Sequence, residues 1–573
     1  MVTSQIKYYG IDIGDGETAA ATVSNEGAVL PHVLTLGDTK SMLSVVGRLN
    51  GTPVIGDQAL LRQRQGVRDI QARFKSRYLT DELAVTDIRD FARGLYEVMR
   101  TELDGVAQPY IALGVPAGWT NAEREKYAGI VSSAGFTNLH TVAESRAAFL
   151  FARYDKDIGL SNEELGRPAL VIDIGSSTTD FAYIVDSKES EVGVFGDKAL
   201  GGGLLDQLIL EDALERSPKA AQIRAVFNEN PEWRSVCELE ARKAKERYFS
   251  SEANWTVDPY VKKVLILADV NNPMSLSISL NAERMEKILL TPIASLDGLT
   301  FPQQLKKSLE EAAKNTATHP PELLILTGGA SRMRFFQQAC QDAFPSASIS
   351  LCAEPEYCIA RGLSIASRID YKLTLFRRRI EEFFAGGMLK EEINRHLPAL
   401  QAKLSDVLLA RIMNECVKPV LKEDFASADQ LNTALSQRIQ KVFTEQGRTE
   451  ASDEVIAKWI SDELTDTQRQ LDELCVENDV ERADMSLAKV AVKVELNKMR
   501  ILPKMMPAFL CGIILTIMQM FPKLMLQSKV QDALRKELID PKSNFAKSLA
   551  NGLEAELRAQ IQKNVEKVEI IIN

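Results

Sequence analysis

Two short stretches, far apart in the chain, constrain its fold more than any other feature. Residues 169–184 read Ala-Leu-Val-Ile-Asp-Ile-Gly-Ser-Ser-Thr-Thr-Asp-Phe-Ala-Tyr-Ile, and residues 8–23 read Tyr-Tyr-Gly-Ile-Asp-Ile-Gly-Asp-Gly-Glu-Thr-Ala-Ala-Ala-Thr-Val. Each is an apolar run, an Asp-Ile-Gly step, a polar turn and a second apolar run, the pattern of strand, tight turn and strand. Small residues at Gly14, Asp15 and Gly16, and again at Gly175, Ser176 and Ser177, let an anion approach successive backbone N–H groups. Asp12 and Asp173, each ending a buried strand, stand where a phosphate-bound cation would be held. One such hairpin is a weak signal. Its repetition predicts a duplicated fold that closes on a single phosphate group from two sides.

The chain has 573 residues, too many for one core, so three to five compact units are expected. Its formal charge of -10 argues against nucleic acid, which selects a basic footprint. Seven scattered cysteines without a Cys-x-x-Cys pair suit reduced, buried thiols in a cytosolic protein. Four histidines, none at ligand spacing, leave no basis for a histidine metal site or a catalytic triad. The polar N-terminus runs almost at once into a strand, so no secretory signal is expected.

From residue 5 to about 370, β-branched runs alternate with helical periodicity and Gly-rich turns, which predicts α/β architecture. Residues 58–103 form a basic insert that reads as helical and contains Arg73-Phe-Lys-Ser-Arg77. A strand and turn follow at 109–119, then a helix with Asn121 as its expected cap, a short strand at 138–142 and a helix at 144–153. Leu200-Gly-Gly-Gly203 with Asp206 opens a further helix, and a charged helix covers 236–249. Glu322-Leu-Leu-Ile-Leu-Thr-Gly-Gly-Ala-Ser-Arg332 is a buried strand entering a Gly-Gly turn.

These elements, in this order, resemble the superfamily of actin, the sugar kinases and the heat-shock-70 chaperones, and the chaperone branch most of all. The motifs that carry the resemblance are the two hairpins, Val115-Pro116-Ala117 with Asn121-Ala-Glu-Arg, Ala143-Glu-Ser-Arg-Ala-Ala148, Leu200-Gly-Gly-Gly203 and Thr327-Gly-Gly-Ala-Ser-Arg332. The resemblance implies a two-lobed ATPase of the actin-like, ribonuclease-H-like fold, with lobe I at about 1–167 and lobe II at about 168–370. ATP or ADP would lie in the cleft with Mg²⁺ on Asp12 and Asp173. Glu144 would orient the attacking water, or a magnesium-bound one, and Thr178 would donate its hydroxyl to the γ-phosphate. Lys75 resembles the lysine that neutralises charge on the transferred phosphoryl group, although a solvated basic face with Arg73 and Arg77 is an equal reading. Gly201, Gly202 and Gly203 resemble the family's phosphate contact. Gly328, Gly329 and Arg332 resemble its adenosine turn, where an arginine plane can stack on a base. Lys243, Arg247 and Ser250 match a helix that contacts ribose and base, in a register uncertain by one residue; an ordinary charged helix is the alternative.

Two departures bear on activity. Asp15 and Glu17 replace a Thr-Thr pair of the family, and carboxylates there would repel a triphosphate unless they face a cation or solvent, so nucleotide binding with slow hydrolysis is expected. Ser145 replaces a proline linked in the family to signalling between domains.

Beyond residue 370 the resemblance stops and no β-sandwich pattern appears. Leu389, Ile393, Leu397, Leu400, Leu404, Leu408 and Ile412 recur at helical steps, as do segments at 431–443, 455–464 and 471–494, which predicts an all-α region over 371–573. Residues 568–573 alone leave room for a strand. Residues 505–522 carry no charge between Lys504 and Lys523, the lower edge of membrane-spanning length. Three readings stand for them: a buried bundle helix, a membrane-apposed tip, or a Met-rich partner groove. The whole reads as a cytoplasmic, slowly hydrolysing switch whose lobe motion repositions a helical arm against a protein partner, or a membrane at its inner face. The rivals are an actin-like filament former, which would be a homo-oligomer, and a nucleotide-binding pseudo-ATPase; a small-molecule kinase lacks a sugar motif.

Overall fold

The computed structural model describes residues 6–25, 30–106, 108–154, 167–185, 188–189, 195–250, 260–266, 273–351, 354–442, 450–491 and 502–568. The chain forms two compact units, Met1–Asp370 and Tyr371–Asn573. It passes from one to the other within the helix Cys358–Ala385.

The first unit holds two sheets that repeat one another. In each, an antiparallel hairpin is followed by parallel strands added to the hairpin's first strand. Lys7–Ile13 pairs with Glu17–Ser24 on one side and with Pro109–Val115 on the other, and Leu139–Ala143 pairs with Pro109–Val115. In the second sheet Ala169–Ile174 pairs with Thr179–Val185 and with Leu323–Thr327, and Ser348–Leu351 follows. The first strand of each hairpin is therefore central, which explains its near-continuous apolar run: residues 169–174 are all buried. The registers place Asp12 opposite Ala19 and Asp173 opposite Asp180, each one residue short of its strand's end.

Helices cover these sheets. Glu82–Asp104 buries Ile88, Phe91, Leu95 and Met99 at three- and four-residue steps against the first sheet's core. Its Asp81 cap accepts from the Leu83 N–H. Helix Asn121–Ser132 begins at the expected cap residue and is capped one residue earlier: Thr120 and Glu123 form a reciprocal capping box. In the second half, helices Gly203–Glu215, Pro231–Ser250 and Phe301–Asn315 pack with strands Tyr260–Ile266 and Met274–Leu280 into one core.

The insert at 58–103 is less helical than its composition indicates. Strand Arg68–Ala72 pairs with Val45–Leu49, which also pairs with Thr52–Ile55, a small sheet of its own. Gly66, Asp69 and Arg73 have positive φ, and these left-handed turns break the helix that the charge pattern suggests. Arg73 consequently lies outside the single helical turn Phe74–Arg77.

The second unit is helical, with no strand among its described residues. All seven apolar positions from Leu389 to Ile412 are buried, along helix Met388–Arg411 and the π-helical segment Ile412–Val417 that continues it. The pattern at 471–494 does not yield one long helix. Thr465–Glu477 stops where Asp479 turns left-handed, and short helical pieces follow at Arg482–Met485 and Leu487–Ala491. Residues 502–520 form one helix that buries Leu510, Cys511 and Ile514. No helix among the described residues is long and apolar enough to cross a membrane. The strand considered at 568–573 falls, beyond Val568, outside the described residues.

Candidate functional site

The two hairpins face one cavity of about 930 Å³ in the first unit. Asp12, Gly14, Asp15 and Gly16 line it from the first hairpin, and Asp173, Gly175, Ser176, Ser177 and Thr178 from the second. Lys75 and Glu144 lie in its wall. Helix Pro231–Ser250 contributes Lys243, Arg247 and Ser250, and the turn after strand Leu323–Thr327 contributes Gly328, Gly329 and Arg332. Of the three glycines at 201–203, only Gly202 reaches the lining.

The floor is a cluster of buried charges. Lys75 Nζ donates to Glu144 Oε1 at 2.5 Å and to the Gly114 carbonyl at 3.2 Å. Its helical turn places it there because Phe74, its neighbour, is fully buried against Phe91 of the next helix. Burial opposes the lysine's charge, but Glu144, then Tyr127 and Asp12, outweigh it and hold its pKa above the ordinary value. Burial pushes the Asp12 carboxyl up to about 7, with Glu144 adding to the shift and Lys75 opposing it. Asp173 lies well above the carboxylate range, first through burial and then through Glu144, Asp180 and Asp12. Burial, followed by Glu144, brings Asp180 up to about 6, and the Thr178 hydroxyl donates to it at 2.9 Å. Four carboxylates thus share Lys75, with Lys198 acting in addition on Asp180, an excess of negative charge that favours a bound cation.

The residues present fit Mg²⁺. Asp173 Oδ1 is buried with no hydrogen-bond partner. Among the described residues there is no group of three or more His, Cys, Asp or Glu able to hold a metal directly. A cation that keeps most of its water shell and is bound largely through a ligand's phosphates suits such a donor set. Gly328 fixes the spacing: at φ +79°, a Cβ there would lie 2.5 Å from Asp173 Oδ1 and 2.4 Å from the Ile174 carbonyl oxygen.

The extra acids of the first hairpin are answered by the protein itself. Asp15 Oδ1 accepts the Ser76 N–H at 3.0 Å, and Glu17 pairs with Arg242 at 2.8 Å. Repulsion of a triphosphate by Glu17 is to that extent removed. The Gly-rich turn is also engaged internally. The Gly202 and Gly203 N–H groups donate to the Gly175 and Ser176 carbonyls, and Lys245 Nζ holds both the Gly202 carbonyl and Asp206 at 2.7 Å. This turn braces the second hairpin from behind. Arg332 is clamped by both oxygens of Glu356 at 2.8 and 3.0 Å, which sets its guanidinium at the cavity's edge.

Arg242 and Lys245 were not among the residues expected here. Helix Pro231–Ser250 presents two faces to the cavity. One bears Lys243, Arg247 and Ser250; the other bears Arg242 and Lys245, while Glu238, one turn earlier and outside the lining, lies 3.6 Å from Arg73. A register shift of one residue from Lys243 reaches Arg242; Lys245 had no such signal. Tyr127 is a second addition: fully buried between Tyr78 and Trp119, its hydroxyl has no partner and interacts electrostatically with Lys75, Glu144 and Asp12.

The family model described as Hsp70 protein matches residues 98–372. This chain carries an Hsp70-family domain. The match takes in Glu144, the second hairpin, helix Pro231–Ser250 and the Gly328 turn. The first hairpin and Lys75 lie before residue 98 and join the Hsp70-family residues through geometry. Similar curated proteins are the chaperone proteins DnaK of two strains of Thermus thermophilus. Each is 27% identical over 268 residues, 44% of this chain and 38% of the chaperone. The chain thus spans under two fifths of the length of these relatives, and the helical second unit falls almost wholly outside the family match.

Proposed function

We propose that the chain is a magnesium-dependent ATP-binding switch of the Hsp70 kind, with slow hydrolysis, whose helical second unit acts on a partner. The observation that carries this reading is the convergence of Asp12, Asp173, Lys75 and Glu144 on one cavity. Asp12 and Asp173 would hold Mg²⁺ on the phosphates, and the ion would supply charge neutralisation at the terminal phosphoryl group. The hairpin turns at Gly14–Gly16 and Gly175–Thr178 offer backbone amides to the phosphate oxygens. Lys75 supplies positive charge where it develops in the transferred group, and Glu144 orients water. Their mutual 2.5 Å ion pair supports slow turnover, since each must loosen its hold on the other before acting. The Thr178 hydroxyl likewise begins on Asp180. Gly328, Gly329 and Arg332 would receive the adenosine, together with Lys243, Arg247 and Ser250 in the same lining.

The second unit has no strand among its described residues, so a partner would meet helix surfaces rather than a sheet edge. A protein or a membrane surface, on the cytoplasmic side, are the partners this reading admits. A titration of MgATP against the whole chain and its Asp173→Ala variant tests the nucleotide claim. Saturable binding to the first and at least tenfold weaker binding to the second is expected; equal affinity, or none in either, overturns it.

A further inference from the structure

Helix Leu502–Met520 has a second apolar side that is covered only in part. Its inner side is spent on Leu510, Cys511 and Ile514; Cys511 lies 3.3 Å from Ser436 and from the Asn432 side chain on helix Ala428–Val442. Phe509, Ile513, Ile517 and Met520 recur at steps of four and three along a different side. Phe509 and Met520 are exposed, the latter by 67%, and Ile513 and Ile517 are half-buried. Beyond the helix, Met525 is also exposed, and Lys529 stands over the Phe521 ring. Of the exposed large hydrophobics in the second unit, three fall within residues 509–525, a concentration that marks an interaction surface rather than scattered surface apolars.

Charge decides what would cover it. Residues 496–531 contain no Asp or Glu and five basic residues, Lys498, Arg500, Lys504, Lys523 and Lys529, in a chain whose formal charge is -10. In sequence this apolar segment is flanked by basic residues and by no acid, a pattern that complements an anionic surface with an apolar interior. A protein partner would have to offer an apolar socket ringed by acids, whereas a bilayer with anionic headgroups offers both properties without shape complementarity. The helix does not qualify as a span, so it would lie along the surface with the Phe509–Met520 side facing the acyl chains.

We propose that helix Leu502–Met520 is a membrane-surface contact that binds anionic lipid through Phe509, Met520 and the basic residues flanking them. This names one of the two partner classes admitted above and depends on no nucleotide chemistry, so either reading can fail alone. The test is flotation of the whole chain, without nucleotide, on vesicles of phosphatidylcholine with about one third phosphatidylglycerol and on phosphatidylcholine alone. Wild type should float with the anionic vesicles, at least tenfold less with the neutral ones, and be released by high salt. The double variant Phe509→Asp, Met520→Asp changes exposed positions; it should lose flotation at least tenfold while keeping its circular dichroism and MgATP affinity. A Lys529→Glu variant should show an intermediate loss. Absence of flotation on anionic vesicles overturns the proposal, as does flotation unchanged in the double variant or equal on the two lipid mixtures. Binding of an acidic protein in place of either vesicle, abolished by the same double variant, would also overturn it.

Discussion

Asp12 is a buried carboxylate whose surroundings disfavour its charge in the ligand-free protein. Its pKa of about 7 lies above its ordinary value of 3.8, so between those values the folded chain holds a proton that the unfolded chain has released. The stabilisation from this group is complete below the lower value and is lost as pH rises through the upper one. Ligand-free protein should therefore lose stability toward neutral pH, and Asp12→Asn should be more stable than wild type at about pH 8, by on the order of 1–3 kcal/mol. On the proposed reading, Mg²⁺ would compete with the same proton. The rise in melting temperature on adding MgATP should accordingly be larger at about pH 8 than at about pH 6 in wild type, and nearly absent in Asp12→Asn. Scanning calorimetry at the two pH values checks both signs. Tyr127 gives a simpler test. Its hydroxyl is buried without a partner, a group that costs about 1–3 kcal/mol to desolvate. Tyr127→Phe should leave stability unchanged or raise it by about 1 kcal/mol; a loss in chemical denaturation would mean that an ordered water satisfies the hydroxyl.

At the scale of elements, helix Cys358–Ala385 is wedged against the two segments that carry Asp12 and Glu144. A Cβ on Gly362 would lie 1.8 Å from the Ala147 carbonyl oxygen, and one on Gly10 would lie 2.2 Å from that of Ala360. Two residues after Glu144, Arg146 binds both oxygens of Asp370 at 2.8 and 3.1 Å; burial raises the Asp370 carboxyl, but His140, 3.4 Å away, and then Arg146 outweigh it and hold the group down at about 2. Gly362→Ala should thus force backbone apart, cost roughly 2–4 kcal/mol and weaken MgATP binding by displacing Glu144. Gly512→Ala is the matched comparison: it meets nothing within 4 Å inside a helix and should stabilise by about 0.5–1 kcal/mol. Denaturant titration of both variants decides the matter. None of this wedge was legible beforehand, since a glycine at a helix crossing looks like any helical glycine. The hairpins were legible because their strands are central and buried, which writes a continuous apolar run into the sequence. The seven-residue stripe from Leu389 to Ile412 was legible because one face of a helix buries every third or fourth residue. Lys75 sat in a segment whose left-handed turns at Asp69 and Arg73 are invisible to periodicity, and only its Glu144 partner distinguishes it from a solvated base. Arg242 and Lys245 were hidden by the opposite problem, a helix charged on several faces at once.

On the scale of the whole molecule, the chain divides into two units, and the cavity proposed for nucleotide is lined by residues of the first alone. A ligand that binds the folded form alone stabilises it by about 2.7 kcal/mol at a hundredfold excess over its dissociation constant. That free energy enters wherever the liganded residues unfold, so heating should resolve two transitions, of which MgATP moves one. The transition that moves should be the one that loses β-sheet signal, since the described strands all lie in the first unit. Infrared amide bands followed during the scan identify it without cutting the chain. The Asp173→Ala variant should keep both transitions and lose the shift, which separates a failure to bind from a failure to fold. A single transition that moves as a whole would mean that the two cores melt together, with stabilisation of the Asp12–Asp173 cavity reaching residues beyond 370. Helix Cys358–Ala385 is the one covalent element able to carry that coupling, because it begins against Gly10 and Ala147 and ends beyond Tyr371. Gly362→Ala should then return the scan to two transitions. If it leaves one transition unchanged, the helix does not couple the units.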